Sequence, residues 1–83
     1  MSELDFIIKT TLSRFVEQKI CHYFSHLEGQ PAQGLHDLVI KEAEKGLFKI
    51  VMEKSNGNQS KAANMLGLAR GTFRKKLQEL GLD

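Results

Sequence analysis

Apolar residues recur along this chain at helical spacing, and turn residues cut the recurrence into four segments. Leu12, Val16, Ile20, Tyr23, Phe24 and Leu27 follow an i, i+4, i+7 stripe that Phe15 widens, which predicts a first helix from about Thr11 to Leu27. Gly29 stands where a helix end takes the left-handed conformation, and Pro31 keeps the helix from resuming, so residues 30–34 read as a loop. A second helix is predicted over Leu35 to Ser55, with Asp37 beside the positive end of the helix dipole, Lys54 in the last turn and Asn56-Gly57 closing it. Its main stripe is Leu35, Val39, Ala43, Leu47 and Ile50, yet Phe48 and Met52 lie about 180° away at ~100° per residue. Two apolar faces in so short a chain predict that one meets its own subunit and the other a second copy. The competing reading has Phe48 and Met52 lying under the C-terminal helices.

The last third is the most legible. Asn58 is a good N-cap for a two-turn helix over Gln59 to Leu66, with Ala62, Ala63 and Leu66 inward. Gly67 stops that helix, Leu68 is a buried turn residue, and a further helix runs from Arg70 to Leu80 with Phe73, Leu77 and Leu80 on its apolar side, closed by Gly81. Two short helices joined by a tight glycine-containing turn make a helix-turn-helix. Ala63 supports this, because it stands four residues before Gly67, where closely crossing helices leave no room for a larger side chain.

Composition narrows the classes. Eighty-three residues, 41% hydrophobic and 27% charged, describe one small domain and exclude a two-domain enzyme. A chain of this size buries only about 60% of its unfolded surface, so it is expected to need a staple or a second subunit. Cys21 is the only cysteine, so an intrachain disulfide cannot be the staple, and a lone thiol fits a reducing cytoplasm. Met1 to Thr10 carries Glu3 and Asp5 where a signal peptide would be basic, and its apolar run is too short to span a membrane. The net charge of +2 is uneven: 7 Lys/Arg against 8 Asp/Glu up to Asn56, then 5 against 2 from Gly57. That excess suggests a polyanion partner for the C-terminal third, against the plainer reading of a solvated helix face.

Arg70, Arg74 and Gln78 form an i, i+4 row with Gly71 beside it, a face able to enter a major groove. An arginine at the start of such a helix can fork onto guanine O6 and N7, so Arg70 and Arg74 are the base-reading candidates. Lys75 and Lys76 point elsewhere and suit phosphates, as do Asn58, Ser60, Lys61 and Thr72; the alternative for each is a solvated surface residue, and for Ser60 and Thr72 the two readings weigh about evenly. His22 and His26 stand four apart beside Cys21, but no further ligand completes a metal set. No phosphate loop or nucleophile-base constellation occurs, so neither catalysis nor a cofactor is expected, and the short basic helix with its packed apolar side is a poor membrane binder.

The run GNQSKAANMLGLARGTFRKKLQELGL from Gly57 to Leu82 resembles the C-terminal region of the factor-for-inversion-stimulation (Fis) family of bacterial nucleoid proteins, with GNQ, the AA pair, RGT and RKKL in register. Tyr23-Phe24, Leu27 and Gly29-Gln30 look like the end of the family's first helix, and Ile50-Val51-Met52 like the late part of its second, so the likeness spans about Thr11 to Leu82. The same helix-turn-helix closes sigma-54-dependent activators, but here dimer-forming helices are expected before it and an ATPase domain is not. The resemblance implies an all-α, intertwined homodimer of long-helix pairs whose two recognition helices sit closer than one groove repeat, so that DNA must bend to meet both. It implies degenerate sites with an outer guanine met by Arg70 and an AT-rich centre read indirectly. Arg74 would lie near bases and phosphates, and Asn58, Ser60, Thr72, Lys75 and Lys76 on the backbone.

Three departures narrow this. Ala69 replaces an asparagine of the family pattern, so one polar base contact is lost and specificity loosened. Gln78 and Glu79 stand where lysines are expected, which lowers affinity and flattens the salt dependence. About ten residues precede the first helix, too few for the family's recombinase-activating hairpin, which argues against activating DNA invertases. The turn before Gly57, which meets RNA polymerase in the resembled proteins, has Asn56 where a base is expected, leaving that contact open.

The expected organisation is a tail or residual arm over 1–10, where Leu4, Phe6, Ile7 and Ile8 pack on the dimer or form an arm, a helical dimerisation region over 11–56, and the helix-turn-helix over 57–83. The dimer core would draw on Val16, Ile20, Phe24, Val39, Leu47, Phe48, Val51 and Met52. The expected function is a DNA-binding and DNA-bending regulator in the cytoplasm and nucleoid. The alternative is a dimeric helical interaction module whose basic end meets an acidic protein surface.

Overall fold

The computed structural model describes residues 2–83, which form four α-helices and no strand: α1 (Glu3–Ser25), α2 (Leu35–Lys54), α3 (Gln59–Leu66) and α4 (Arg70–Glu79). They fall into two units, one carrying α1 and ending at Gln33, the other running from Gly34 to Asp83.

In the first unit the helix starts at Glu3 rather than Thr11 and ends at Ser25 rather than Leu27. The expected tail over 1–10 is therefore helical from Glu3 onward, and Met1 lies outside the described residues. The reasons are local. Ser2 is an N-cap whose hydroxyl oxygen accepts the Asp5 N–H at 3.2 Å, and Glu3 and Asp5 place negative charge in the first turn. Thr10 and Thr11 turn their hydroxyls back onto the carbonyls of Phe6 and Ile7, at 2.8 and 2.6 Å, so neither interrupts the helix. Leu4 and Ile8 thus extend an i, i+4 row through Leu12, Val16, Ile20 and Phe24. No residue of α1 is buried. At the far end the His26 N–H caps onto the carbonyls of Tyr23 and Phe24, and Glu28 and Gly29 turn the chain with φ of 53° and 84°.

The second unit builds its core from Phe48 and Val51 of α2, Ala62 and Ala63 of α3, and Phe73 and Leu77 of α4, with Met52, Leu66, Leu68, Leu80 and Leu82 packed around them. Phe48 and Phe73 meet edge to face, ring centroids 5.2 Å apart, the geometry that aromatic quadrupoles favour. Ala62 and Ala63 are the small residues that let α3 lie close, as Ala63's place in the sequence predicts.

This core bears on the faces of α2. Phe48 and Val51, expected in a dimer core, are buried against the chain's own α3 and α4, Phe48 only 2% exposed, and Met52, also expected there, is partly buried at the edge of the same cluster. Within the single chain Phe48 and Met52 lie against the C-terminal helices, because α3 turns back under the C-terminal half of α2. The stripe of Leu35, Val39, Ala43, Leu47 and Ile50 lies roughly opposite, at ~100° per residue, and Leu47 and Ile50 are each 52% exposed. The two-faced character of α2 is real, but its inward face is the shorter one.

Caps fix the α2–α3–α4 path. Asn56 takes a left-handed φ of 55°, and the Gly57 N–H returns to the Met52 carbonyl at 2.9 Å. The Asn58 side chain then accepts the Lys61 N–H at 3.0 Å. Gly67, at φ 74°, closes α3 while the next N–H, from Leu68, reaches the Ala63 carbonyl at 2.9 Å, a Schellman-type end. A Cβ on Gly67 would meet no atom within 4 Å, so only its backbone conformation demands glycine. Gly67→Ala is therefore expected to cost about 1–2 kcal/mol, the left-handed penalty of an L residue, and Gly67→Asn less, because asparagine tolerates that region. Urea midpoints of the three proteins check the ranking.

Candidate nucleic-acid interface

α4 is held by one side. Phe73 and Leu77 are fully buried, and Lys76 and Leu80 half-buried, so at ~100° per residue the opposite side carries Gly71, Lys75 and Gln78, all exposed, with Arg74 on its flank. Arg70 opens the helix at its exposed N-terminal end, one turn before Arg74. Lys75 thus stands with Gly71 and Gln78, not apart from them as its sequence position suggested. Among the described residues no carboxylate lies within ion-pair distance of Arg70, Arg74, Lys75 or Lys61. These guanidinium and ammonium groups are free for an external anion.

Lys76 departs from expectation. Its Nζ sits 2.9 Å from Glu44 Oε2 on α2, with both side chains about a third exposed or less, so it ties α4 to α2 rather than standing free for phosphate. A partly exposed pair of this kind contributes under about 1 kcal/mol, enough to orient the helix without holding the fold. Glu44 was not singled out from the sequence, since nothing local marks a partner so distant along the chain.

The N-terminus of α4 rests on Ala69, which supplies no side-chain cap, so the first-turn N–H groups are left to a ligand or solvent. Gly71 follows in ordinary helical conformation, although glycine there destabilises a helix by about 0.5–1 kcal/mol relative to alanine. Thr72 is exposed in the same turn. On α3, Ser60 and Lys61 are exposed in the first turn, and Asn58, expected on the DNA backbone, commits its side-chain oxygen to the cap, which leaves its amide N–H₂ as the outward donor. Asn64 and Met65 also lie on the outer face of α3, Met65 52% exposed, and neither was picked out from the sequence.

The other candidates lie on α1. His22 and His26 bring their rings to 4.4 Å, with His26 Nδ1 2.9 Å from the His22 carbonyl oxygen. No group of three or more metal-capable side chains forms among the described residues. No helix among them is long and apolar enough to cross a membrane.

The helix pair, its glycine turn and its outward cations therefore form a connected unit on the part of α2 that supplies Phe48 and Val51. A family model described as bacterial regulatory protein, Fis family, matches residues 39–80, just over half of the chain, and takes in that part of α2 with α3 and α4. The chain belongs to the Fis family of bacterial regulatory proteins and is a helix-turn-helix DNA-binding regulator.

Proposed function

We propose that the protein is a homodimeric, DNA-bending nucleoid regulator that inserts α4 into the major groove and reads degenerate guanine-bracketed, AT-rich sites. The observation that carries this is the outward side of α4, where Arg70, Arg74 and Lys75 lack carboxylate partners among the described residues and the helix begins without a side-chain cap. Arg70 and Arg74 serve as base readers, and Ser60, Lys61, Thr72, Lys75 and the Asn58 amide hold phosphates. Lys76 reaches phosphate only by leaving Glu44, so it adds little affinity.

The dimer follows from what the single chain leaves uncovered. Leu35, Val39, Ala43, Leu47 and Ile50 run along α2 with Gly46 among them, and a Cβ at Gly46 would meet nothing within 4 Å among the described residues. Such a notch suits the close approach of another helix. On α1, Ile8, Leu12 and Val16 form an open apolar face with Lys9 at one end and Glu17 at the other, each four residues from Ser13. Two antiparallel copies of α1 crossing at Ser13 would pair Lys9 with the partner's Glu17 twice, as a two-fold axis requires. Val16, Ile20, Phe24, Val39 and Leu47 then remain as dimer-core residues.

A gel-shift titration on permuted duplexes tests the reading. Mobility that changes when a guanine-bracketed AT-rich site moves from the end of the duplex to its middle is the expected result, since a bend slows the complex most at the centre. No shift even at low salt, where phosphate contacts are strongest, would replace DNA with an acidic protein surface as the partner.

A further inference from the structure

Five of the seven glycines take positive φ, so backbone conformation accounts for them. Gly71 is one of the two it does not account for. Its backbone is ordinary α-helix, and a Cβ built there would meet no heavy atom within 4 Å, so neither conformation nor packing inside the chain calls for glycine. The cost falls on a short helix, since α4 is only ten residues long and starts without a side-chain cap. A glycine that the fold resists is a sign of something outside the chain.

We infer that Gly71 is a specificity-determining position: by omitting a side chain on the outward side of α4, it lets the helix backbone approach the duplex closely enough for the flanking Arg70 and Arg74 to reach base edges. This rests on the DNA reading proposed above. Gly71 shares its side with Lys75 and Gln78, opposite Phe73 and Leu77, so a side chain there would project directly into the groove. A methyl at that point holds the helix away by more than an N–H···O bond tolerates, because such bonds keep donor and acceptor within about 2.7–3.2 Å. Forked guanidinium contacts to a base are lost before single ammonium contacts to phosphate, which a flexible lysine can restore. The position therefore acts on sequence preference more than on general affinity.

Gly71→Ala separates the two demands on this residue. The variant is expected to melt about 2–8 °C higher, the shift that better helix propensity gives a domain of this size. It is also expected to bind a guanine-bracketed AT-rich duplex about tenfold more weakly, within the range of one lost forked contact, while its affinity for a duplex lacking those guanines falls less. Gly71→Ser adds the same Cβ with a poorer helix former and should weaken preference equally without the gain in melting temperature. A lower melting temperature for Gly71→Ala would mean that the glycine serves the fold, and the inference fails. If the parent prefers the guanine-bracketed duplex and Gly71→Ala matches its affinities, this inference alone is overturned; a parent that binds no duplex overturns the DNA reading with it.

Discussion

Arg70→Ala is expected to erase the preference for guanine-bracketed duplexes while leaving weaker, salt-sensitive binding in place. A forked arginine–guanine contact is worth about 1–3 kcal/mol of discrimination, a factor of roughly 5–150 per site. Two copies on one duplex would multiply their factors, so the dimer should lose between one and four orders of magnitude of preference. The fold should not suffer, because Arg70 is exposed and no side-chain hydrogen bond or ion pair engages it among the described residues. Residual binding should persist through Lys61 and Lys75, whose phosphate contacts carry no sequence information but weaken steeply with salt. Lys75→Ala gives the contrast: affinity should fall about equally for all duplexes. The measurement is a titration of parent and both variants against duplexes with and without the bracketing guanines. Equal discrimination by parent and Arg70→Ala would remove Arg70 from base reading.

What the chain discloses of itself depends on the range of the interaction concerned. The α3–α4 unit is legible residue by residue because Asn58, Gly67 and Gly81 act on neighbours a few positions away, and each stands where its cap requires it. The start of α1 follows the same rule but escapes notice, because Leu4, Phe6, Ile7 and Ile8 read equally well as an apolar arm. The Ser2 cap and the continuation of the row through Leu12 decide for the helix. The partition of α2 is a different problem. Periodicity reports that Phe48 and Leu47 lie on different faces, but which face turns inward depends on where α3 returns, and that is set by tertiary packing. Lys76 belongs to the same class, since its Glu44 partner comes from another helix and no local pattern announces it.

Phe73→Ala is expected to be the most damaging single change to the second unit, with a loss of about 3–5 kcal/mol. The ring is fully buried, packs edge to face on Phe48, and is the one large aromatic that α4 contributes to a core of six buried residues. Little can collapse into the space it leaves, because Ala62 and Ala63, equally buried beside it, have no side chain to extend. A core this small supplies only about 3–5 kcal/mol in total, so the predicted loss matches the whole margin. Thermal unfolding followed by circular dichroism should show Phe73→Ala without a cooperative transition for α3 and α4 at room temperature, and DNA binding should disappear with it, since Arg70 and Arg74 then have no rigid helix to present them. Phe73→Leu keeps most of the volume and should retain a transition at lower temperature. Leu47→Ala removes a similar apolar mass from a residue half-exposed in the single chain, so its cavity exists only if a second copy covers it. A Leu47→Ala loss comparable to that of Phe73→Leu, and larger at low protein concentration, would identify that face as the dimer seam; a negligible loss at every concentration would leave α2 without a partner there.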